Sequence, residues 1–148
     1  MELTENMFND DDVESVFKFI AAGGDINAIV YGTGETPLHN AVRTRAVRIV
    51  RLLLTSGANV NLAPLDSLQY TPLHTVIWTG NIEIAQMLID YGADIYAKNY
   101  RGITPYDIAR NLDTDKGDTH RYGGWLTEKE SEMQKIIYSG ANKNRANP

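Results

Sequence analysis

The chain has 148 residues, no cysteine and a net charge of −5, with 43% hydrophobic and 22% charged residues. This composition predicts one globular domain and excludes disulfides, thiol catalysis and thiolate metal sites. The acidic N-terminus lacks the apolar segment of a secretory signal, and no apolar run approaches the roughly 20 residues that span a bilayer. Net negative charge also disfavours binding to nucleic acid. We therefore expect a protein of the cytoplasm or another reducing compartment, with neither membrane nor nucleic-acid partners.

The first predicted helix follows an acidic stretch near the N-terminus. Asp11 and Glu14 have the spacing of a capping box, in which two side chains satisfy free backbone N–H groups at a helix start. Apolar residues follow at the spacing of one helical face, namely Val13, Val16, Phe17 and Ile20. The pattern predicts an amphipathic helix with this face in the core.

Two sequence markers then recur with a common period. Thr-Pro-Leu-His begins at Thr36 and Thr71 and returns as Thr-Pro-Tyr-Asp at Thr104, with spacings of 35 and 33 residues. Glycines that follow apolar blocks stand at positions 23, 57, 92 and 140, with spacings of 34, 35 and 48. Each threonine can cap a helix of about eight residues whose first position is the proline. Each glycine is expected to end a second helix in the left-handed conformation.

The last interval is longer than the others. Subtracting a period of about 33 residues leaves an insertion, DTDKGDTHRYGGWLT, at residues 113–127. It does not match a calcium-binding EF-hand loop, because Gly117 and Gly124 stand where an acidic or amide side chain and a glutamate are required. We interpret it as a polar surface loop ending in a Thr127–Glu130 capping box. A loose metal-binding or hydrolytic site around His120 remains the alternative.

The segments TPLHNAVRTRAVRIVRLLLTSGANVN (36–61) and TPLHTVIWTGNIEIAQMLIDYGADI (71–95) closely resemble the ankyrin repeat. The resemblance implies an all-α solenoid of helix-turn-helix units with protruding loop or hairpin fingers at residues 27–35, 61–70 and 96–103. We divide the single domain, 1–148, into a capping half-repeat (1–28), two repeats (29–62 and 63–97) and a modified C-terminal repeat (98–145) containing the insertion. Stacking should join the apolar faces into one core. Its expected members are Phe17, Ile20, Leu53, Leu54, Leu88, Ile89, Ile136 and Ile137.

The resemblance also implies where a partner would bind, since in this family the fingers and the exposed ends of the first helices line a concave groove. The matching residues are Tyr31, Thr33, Glu35, Arg43 and Thr44, then Leu68, Tyr70, Trp78 and Thr79, then Lys98, Tyr100, Arg101, Ile103 and Asn111, with Ile29 and Ala63 at the loop starts. Tyr70, Trp78 and Tyr100 are expected to form one aromatic patch flanked by Arg43 and Arg101. In this register Tyr70 and Tyr100 are expected to face solvent. Tyrosine, tryptophan and arginine dominate interface hot spots, so we interpret the aromatics as anchors. The alternative for Trp78 is packing against the neighbouring first helix.

We expect binding rather than catalysis. His39 and His74 stand at a position that is structural in the resembled family, and no nucleophile or base recurs with them. The sequence thus predicts a non-enzyme without cofactor or metal. Its expected role is to bind another folded protein as an inhibitor or adaptor, and it is expected to be monomeric when free.

Overall fold

The fold is a two-row stack of α-helices, seen in a computed structural model that describes residues 2–9, 11–30, 32–64, 68–111 and 128–146. Eight helices lie in these ranges, and no strand does. Their bounds are α1 Glu5–Asn9, α2 Val13–Ala21, α3 Pro37–Arg43, α4 Val47–Thr55, α5 Pro72–Thr79, α6 Ile82–Asp90, α7 Pro105–Asn111 and α8 Glu128–Ala146. The odd-numbered helices pack in chain order as an inner row, and the even-numbered helices pack as an outer row. The predicted all-α solenoid is confirmed.

The predicted inner-helix starts are confirmed at both Thr-Pro-Leu-His sites. Thr36 and Thr71 have extended backbone conformations, and their hydroxyls accept the N–H groups of His39 and His74, each at 3.4 Å. The prolines occupy the first helical position, where the absence of an N–H costs no hydrogen bond. These two helices have seven and eight residues, as the spacing predicts.

The glycine prediction holds at three of its four positions. Gly23, Gly57 and Gly92 follow α2, α4 and α6 with φ values of 80°, 90° and 86°. At Gly140 the prediction is wrong, because α8 continues through this residue to Ala146. A Cβ added there would lie 2.9 Å from Ile89 Cδ1 and 3.0 Å from Ile95 Cγ2. Gly140 therefore permits the close approach of α8 to α6 rather than ending a helix.

The N-terminal unit differs from its prediction in three ways. A short helix, α1, precedes α2, and the sequence pattern did not reveal it. The cap of α2 is Asp12, whose carboxylate accepts the N–H of Ser15 at 3.1 Å, so the proposed Asp11–Glu14 pair is wrong. Phe17 is 54% exposed. Since α2 is the first helix of the outer row, its main contacts are with α1 and α4. Phe19 therefore packs on the core instead of Phe17.

The predicted stacking core is otherwise confirmed. Leucine and isoleucine pairs at matching positions of α4, α6 and α8 are buried, and Ile20 of α2 is partly buried against them. The pairs are Leu53 and Leu54, Leu88 and Ile89, and Ile136 and Ile137. One apolar layer thus runs between the two rows of helices.

Replacing Gly140 by leucine should destabilise the protein by about 1–3 kcal/mol, because the added side chain overpacks the contact with Ile89 and Ile95. Asn142→Leu is the matched control, since Asn142 is exposed on the same helix and its replacement should change stability by less than about 0.5 kcal/mol. Urea unfolding of both variants measures the difference. Equal stability of the two variants would contradict the close approach at Gly140.

Candidate functional site

Each of the helices α3 and α5 is bonded to the finger of the following repeat by a histidine. The His39 ring Nε2 lies 2.7 Å from the backbone oxygen of Tyr70, at the end of the second finger. The His74 ring Nε2 lies 3.1 Å from the backbone oxygen of Ile103, at the end of the third finger. Both imidazoles are buried. These two bonds tie the ends of the second and third fingers to the inner row.

The neighbouring groups determine the protonation state of both rings. A carbonyl oxygen only accepts, so each Nε2 must carry the proton. The Thr71 backbone N–H donates to His74 Nδ1 at 3.1 Å, and the threonine hydroxyls lie 2.7 and 2.9 Å from the Nδ1 atoms of His39 and His74. Burial lowers the pKa of His39 to about 4, against the opposing effect of its bond to Tyr70, and burial likewise lowers the pKa of His74. Both rings are neutral and serve as structural bridges.

The third repeat has Asp107 where the first two have histidine. Its carboxylate accepts the N–H and the hydroxyl of Thr104 at 3.0 and 2.8 Å, and these bonds lower the pKa of Asp107. An ionised carboxylate has no proton to donate to a further finger. The series of bonds from inner helix to finger therefore ends at α7.

The first finger is closed by a hydrogen bond from Val30 N to Glu35 O of 2.8 Å. Arg43, at the end of α3, donates to the Glu35 carboxylate at 3.2 Å, to Glu5 at 3.0 Å and to Asn40 at 3.0 Å. Its guanidinium therefore links α1, α3 and the first finger. Arg43, the predicted groove arginine of the first repeat, is therefore already paired with carboxylates of the same chain.

The second and third fingers are joined directly. The Tyr100 backbone N–H donates to the Leu68 carbonyl at 3.2 Å. Tyr70 is half-buried and stacks on the His74 ring, with centroids 5.4 Å apart, so the prediction that it faces solvent is wrong. Its ring covers the buried imidazole that follows it in the chain. Tyr100 is 51% exposed, as predicted, and the Arg101 guanidinium lies 5.3 Å over its ring.

The aromatic groove residues lie at the two ends of α5 rather than at one place. Tyr70 precedes the first turn, whereas Trp78 lies in the last turn and is 44% exposed. The eight residues of this helix span about 12 Å. Thr79, beside Trp78, donates its hydroxyl to the Val76 carbonyl at 3.1 Å. Tyr70 and Tyr100 therefore belong to the finger end of the groove, and Trp78 belongs to the turn end.

The remaining predicted residues are distributed as follows. Ile29, Leu68, Lys98 and Ile103 are on the fingers, where Ile29, Leu68 and Ile103 are exposed, whereas Thr33, Thr44 and Ala63 are half-buried. Tyr31, the side chain of Asn111 and the insertion at 113–127, including Thr127 of its proposed capping box, lie outside the described residues.

Sequence reasoning missed one residue that shapes the surface. Asn99 is buried in the third finger, and its side-chain oxygen accepts the N–H groups of Arg101 and Ile103 at 2.9 and 3.0 Å. Gly102, with φ of 74°, completes the turn. The sequence did contain a signal for this turn, namely Asn99 three residues before Gly102. Asparagine side chains in turns commonly accept the backbone N–H of the residue two positions later.

Membrane spans and metal clusters are both absent from the described residues. None of the described helices is long and apolar enough to cross a bilayer. In the same part of the chain, no three histidine or acidic side chains are grouped as a metal site requires.

The repeats have counterparts in known proteins. The family model for ankyrin repeats (3 copies) matches residues 6–99. A stretch of 48 residues is 42% identical to the B-cell lymphoma 3 protein homolog of Mus musculus. This stretch covers 32% of the present chain and 11% of that protein, so the chain matches only a small part of this relative.

Because the two histidines are buried and neutral, we expect the free energy of unfolding to decrease as the pH is lowered. Their pKa values in the folded state lie below about 6.5, the unfolded value, so the unfolded chain takes up protons first as the pH falls. The contribution of the neutral histidines to stability is complete at pH values above the unfolded-state pKa. It is lost as the pH falls from that pKa to the folded-state pKa. From pH 7 to pH 5, His39 alone should reduce the free energy of unfolding by about 2 kcal/mol, with a further loss from His74.

Urea unfolding at the two pH values measures this loss. His39→Gln should show a smaller difference between pH 7 and pH 5, whereas His120→Gln keeps both buried imidazoles and should retain the dependence. At pH 5 the carboxyl groups with lowered pKa, such as Asp107, are still ionised in both states. If the pH dependence of stability is the same in His39→Gln as in the wild type, the loss in acid does not come from the buried His39.

Proposed function

The chain belongs to the ankyrin repeat family, and from this premise we propose that it binds a folded partner protein through its inner row and fingers. Repeats of this family are generally protein–protein interaction modules. The proposed surface, called the groove below, consists of the three fingers together with the exposed last turns of α3 and α5.

The observation that supports this surface is the distribution of exposed apolar side chains. In the described residues, nine large apolar or aromatic side chains are exposed, and six of them lie in the groove. They are Ile29, Leu68, Trp78, Tyr96, Tyr100 and Ile103. A concentration of apolar side chains on one exposed surface is typical of an interaction site. The groove is therefore the best-supported place for a partner.

The groove is also organised before binding. The first and third fingers are closed by backbone bonds, from Val30 N to Glu35 O and from Asn99 N to Ile103 O, at 2.8 and 3.0 Å. Buried histidines fix the later two fingers to α3 and α5. A surface already ordered in the free protein loses little conformational entropy on association. This rigidity favours recognition of a folded partner whose surface is likewise formed in advance.

The mechanism that we propose is occupation of the partner's surface without chemistry. An occupied surface is masked from other ligands, which gives an inhibitor, and a second exposed surface would make the same protein an adaptor. We propose that the free protein is monomeric and acts in the cytoplasm or another reducing compartment, which the absence of cysteine favours.

Alanine substitution of Trp78 and of Tyr100 should each weaken binding by about 2 kcal/mol or more, the usual scale of an interface hot spot. The partner is first isolated with the wild-type chain as bait and Trp78→Ala as the control bait. Calorimetric titration of the purified partner then gives the affinity of each variant.

Glu83→Ala and Lys135→Ala are the controls, since both side chains are exposed on the outer row, and each should cost less than about 0.5 kcal/mol. If the outer-row substitutions weaken binding and the aromatic substitutions do not, the groove is the wrong surface and the proposed function is refuted.

A further inference from the structure

Charge is distributed unevenly along the chain. Residues 1–35 contain eight acidic side chains and one lysine, whereas residues 36–111 contain seven basic and five acidic side chains. The third finger contributes Lys98 and Arg101 and no acidic residue. A basic finger therefore stands on a chain that is acidic as a whole.

The two cations of this finger form no ion pair within the described ranges. In the same ranges, five other cations each pair with an acidic side chain, namely Lys18, Arg43, Arg48, Arg51 and Lys143. The groove arginine of the first repeat, Arg43, is among those that are neutralised. The third finger therefore has unused capacity to bind negative charge.

Arg101 is held in place although it is not neutralised. Its backbone N–H is bonded to the buried Asn99, and its guanidinium lies over the Tyr100 ring with Nε donating to the Tyr100 hydroxyl. This bond, together with the nearby Tyr70 hydroxyl, raises the pKa of Arg101. The Nε bond leaves the two terminal amino groups of the guanidinium fork, which can bind both oxygens of a carboxylate. Because the side chain is already positioned, binding would cost little of its rotational freedom.

Apolar surface adjoins this arginine. Leu68 and Ile103 are exposed, and the bond from Tyr100 N to Leu68 O places the second finger beside the third. A partner segment that reached Arg101 would therefore also cover apolar side chains. Covering them excludes water, which strengthens a charged hydrogen bond at the edge of the contact.

We propose that the second and third fingers form one docking surface for an acidic segment of a partner protein, in which a carboxylate pairs with Arg101 and neighbouring apolar side chains cover Leu68, Tyr100 and Ile103. The inference rests on the proposed function and adds the chemistry of the partner. Lys98 supplies a second positive charge on the same finger, so a segment with two acidic residues should bind better than a segment with one.

A peptide selection tests this proposal directly, because the library itself supplies the ligands. A phage library of random 12-residue peptides is selected on the immobilised full-length chain. The enriched peptides should contain aspartate or glutamate next to apolar residues. The best peptide is then synthesised, and its affinity is measured by fluorescence anisotropy against the wild type and the variants.

The expected result is a double-mutant cycle with strong coupling. Arg101→Gln should weaken the peptide about tenfold or more, and replacing the critical peptide glutamate by glutamine should do the same. Combining the two changes should cost little more than either alone. Arg101→Lys keeps the charge but not the fork and should recover only part of the affinity. The matched control is Arg51→Gln, on the outer row, which should bind as the wild type does. Thermal melting establishes that each variant is folded.

The remaining outcomes separate the two proposals. Peptides that lose affinity with Trp78→Ala but are basic, or are indifferent to Arg101→Gln, would overturn the docking chemistry and leave the proposed function standing. Peptides that lose affinity only with outer-row substitutions would count against both. Failure to enrich any peptide would overturn the docking proposal, since a pre-positioned arginine beside apolar surface should select ligands from such a library.

Discussion

The arrangement of the proposed binding surface depends on a buried hydrogen bond from a neutral imidazole to a backbone carbonyl of the next repeat. His39 and His74 make this bond to Tyr70 and Ile103, so each of these two inner helices is bonded to the last residue of the following finger. Both rings are buried, and an unpaired ring nitrogen there would cost about 1–3 kcal/mol. The cost of losing these bonds keeps the ends of the second and third fingers beside the inner row.

The same bond explains the differences between the repeats. The second and third fingers each accept a hydrogen bond from a histidine of the preceding repeat. A bond from Tyr100 N to Leu68 O also joins the two fingers to each other. The first finger instead depends on Arg43, which the protein's own carboxylates neutralise. The positive charges of the third finger form no ion pair within the described residues. The finger is also held by the hydrogen bond from Arg101 N to the buried Asn99 side chain. In the third repeat Asp107 accepts bonds from Thr104, so the series ends there.

Sequence reasoning succeeded where a local rule determines the structure. Thr36 and Thr71 cap helices because their own hydroxyls reach the third N–H, and Gly57 adopts positive φ because a helix end requires it. It failed where distant packing decides. Gly140 meets the spacing of a helix end, but contact with Ile89 makes it a position of close approach. Phe17 matches the apolar face of α2, yet the end of the outer row leaves it exposed. For the groove, the repeat alignment predicted which residues lie on the fingers and helix ends but not which side chains are in contact. The stacking of Tyr70 on His74 and the turn held by Asn99 are therefore seen only in the structure.

The most direct test of this account is the tautomer of the two buried histidines, measured by long-range ¹H–¹⁵N correlation spectra at neutral pH and assigned with His39→Gln and His74→Gln. The account predicts that both rings carry their proton on Nε2, with Nδ1 unprotonated. It also predicts that the His39 ring remains neutral down to about pH 5, since its pKa is lowered to about 4. A proton on Nδ1, or rings that titrate near pH 6.5 with averaged nitrogen shifts, would show that the imidazoles do not bridge the repeats.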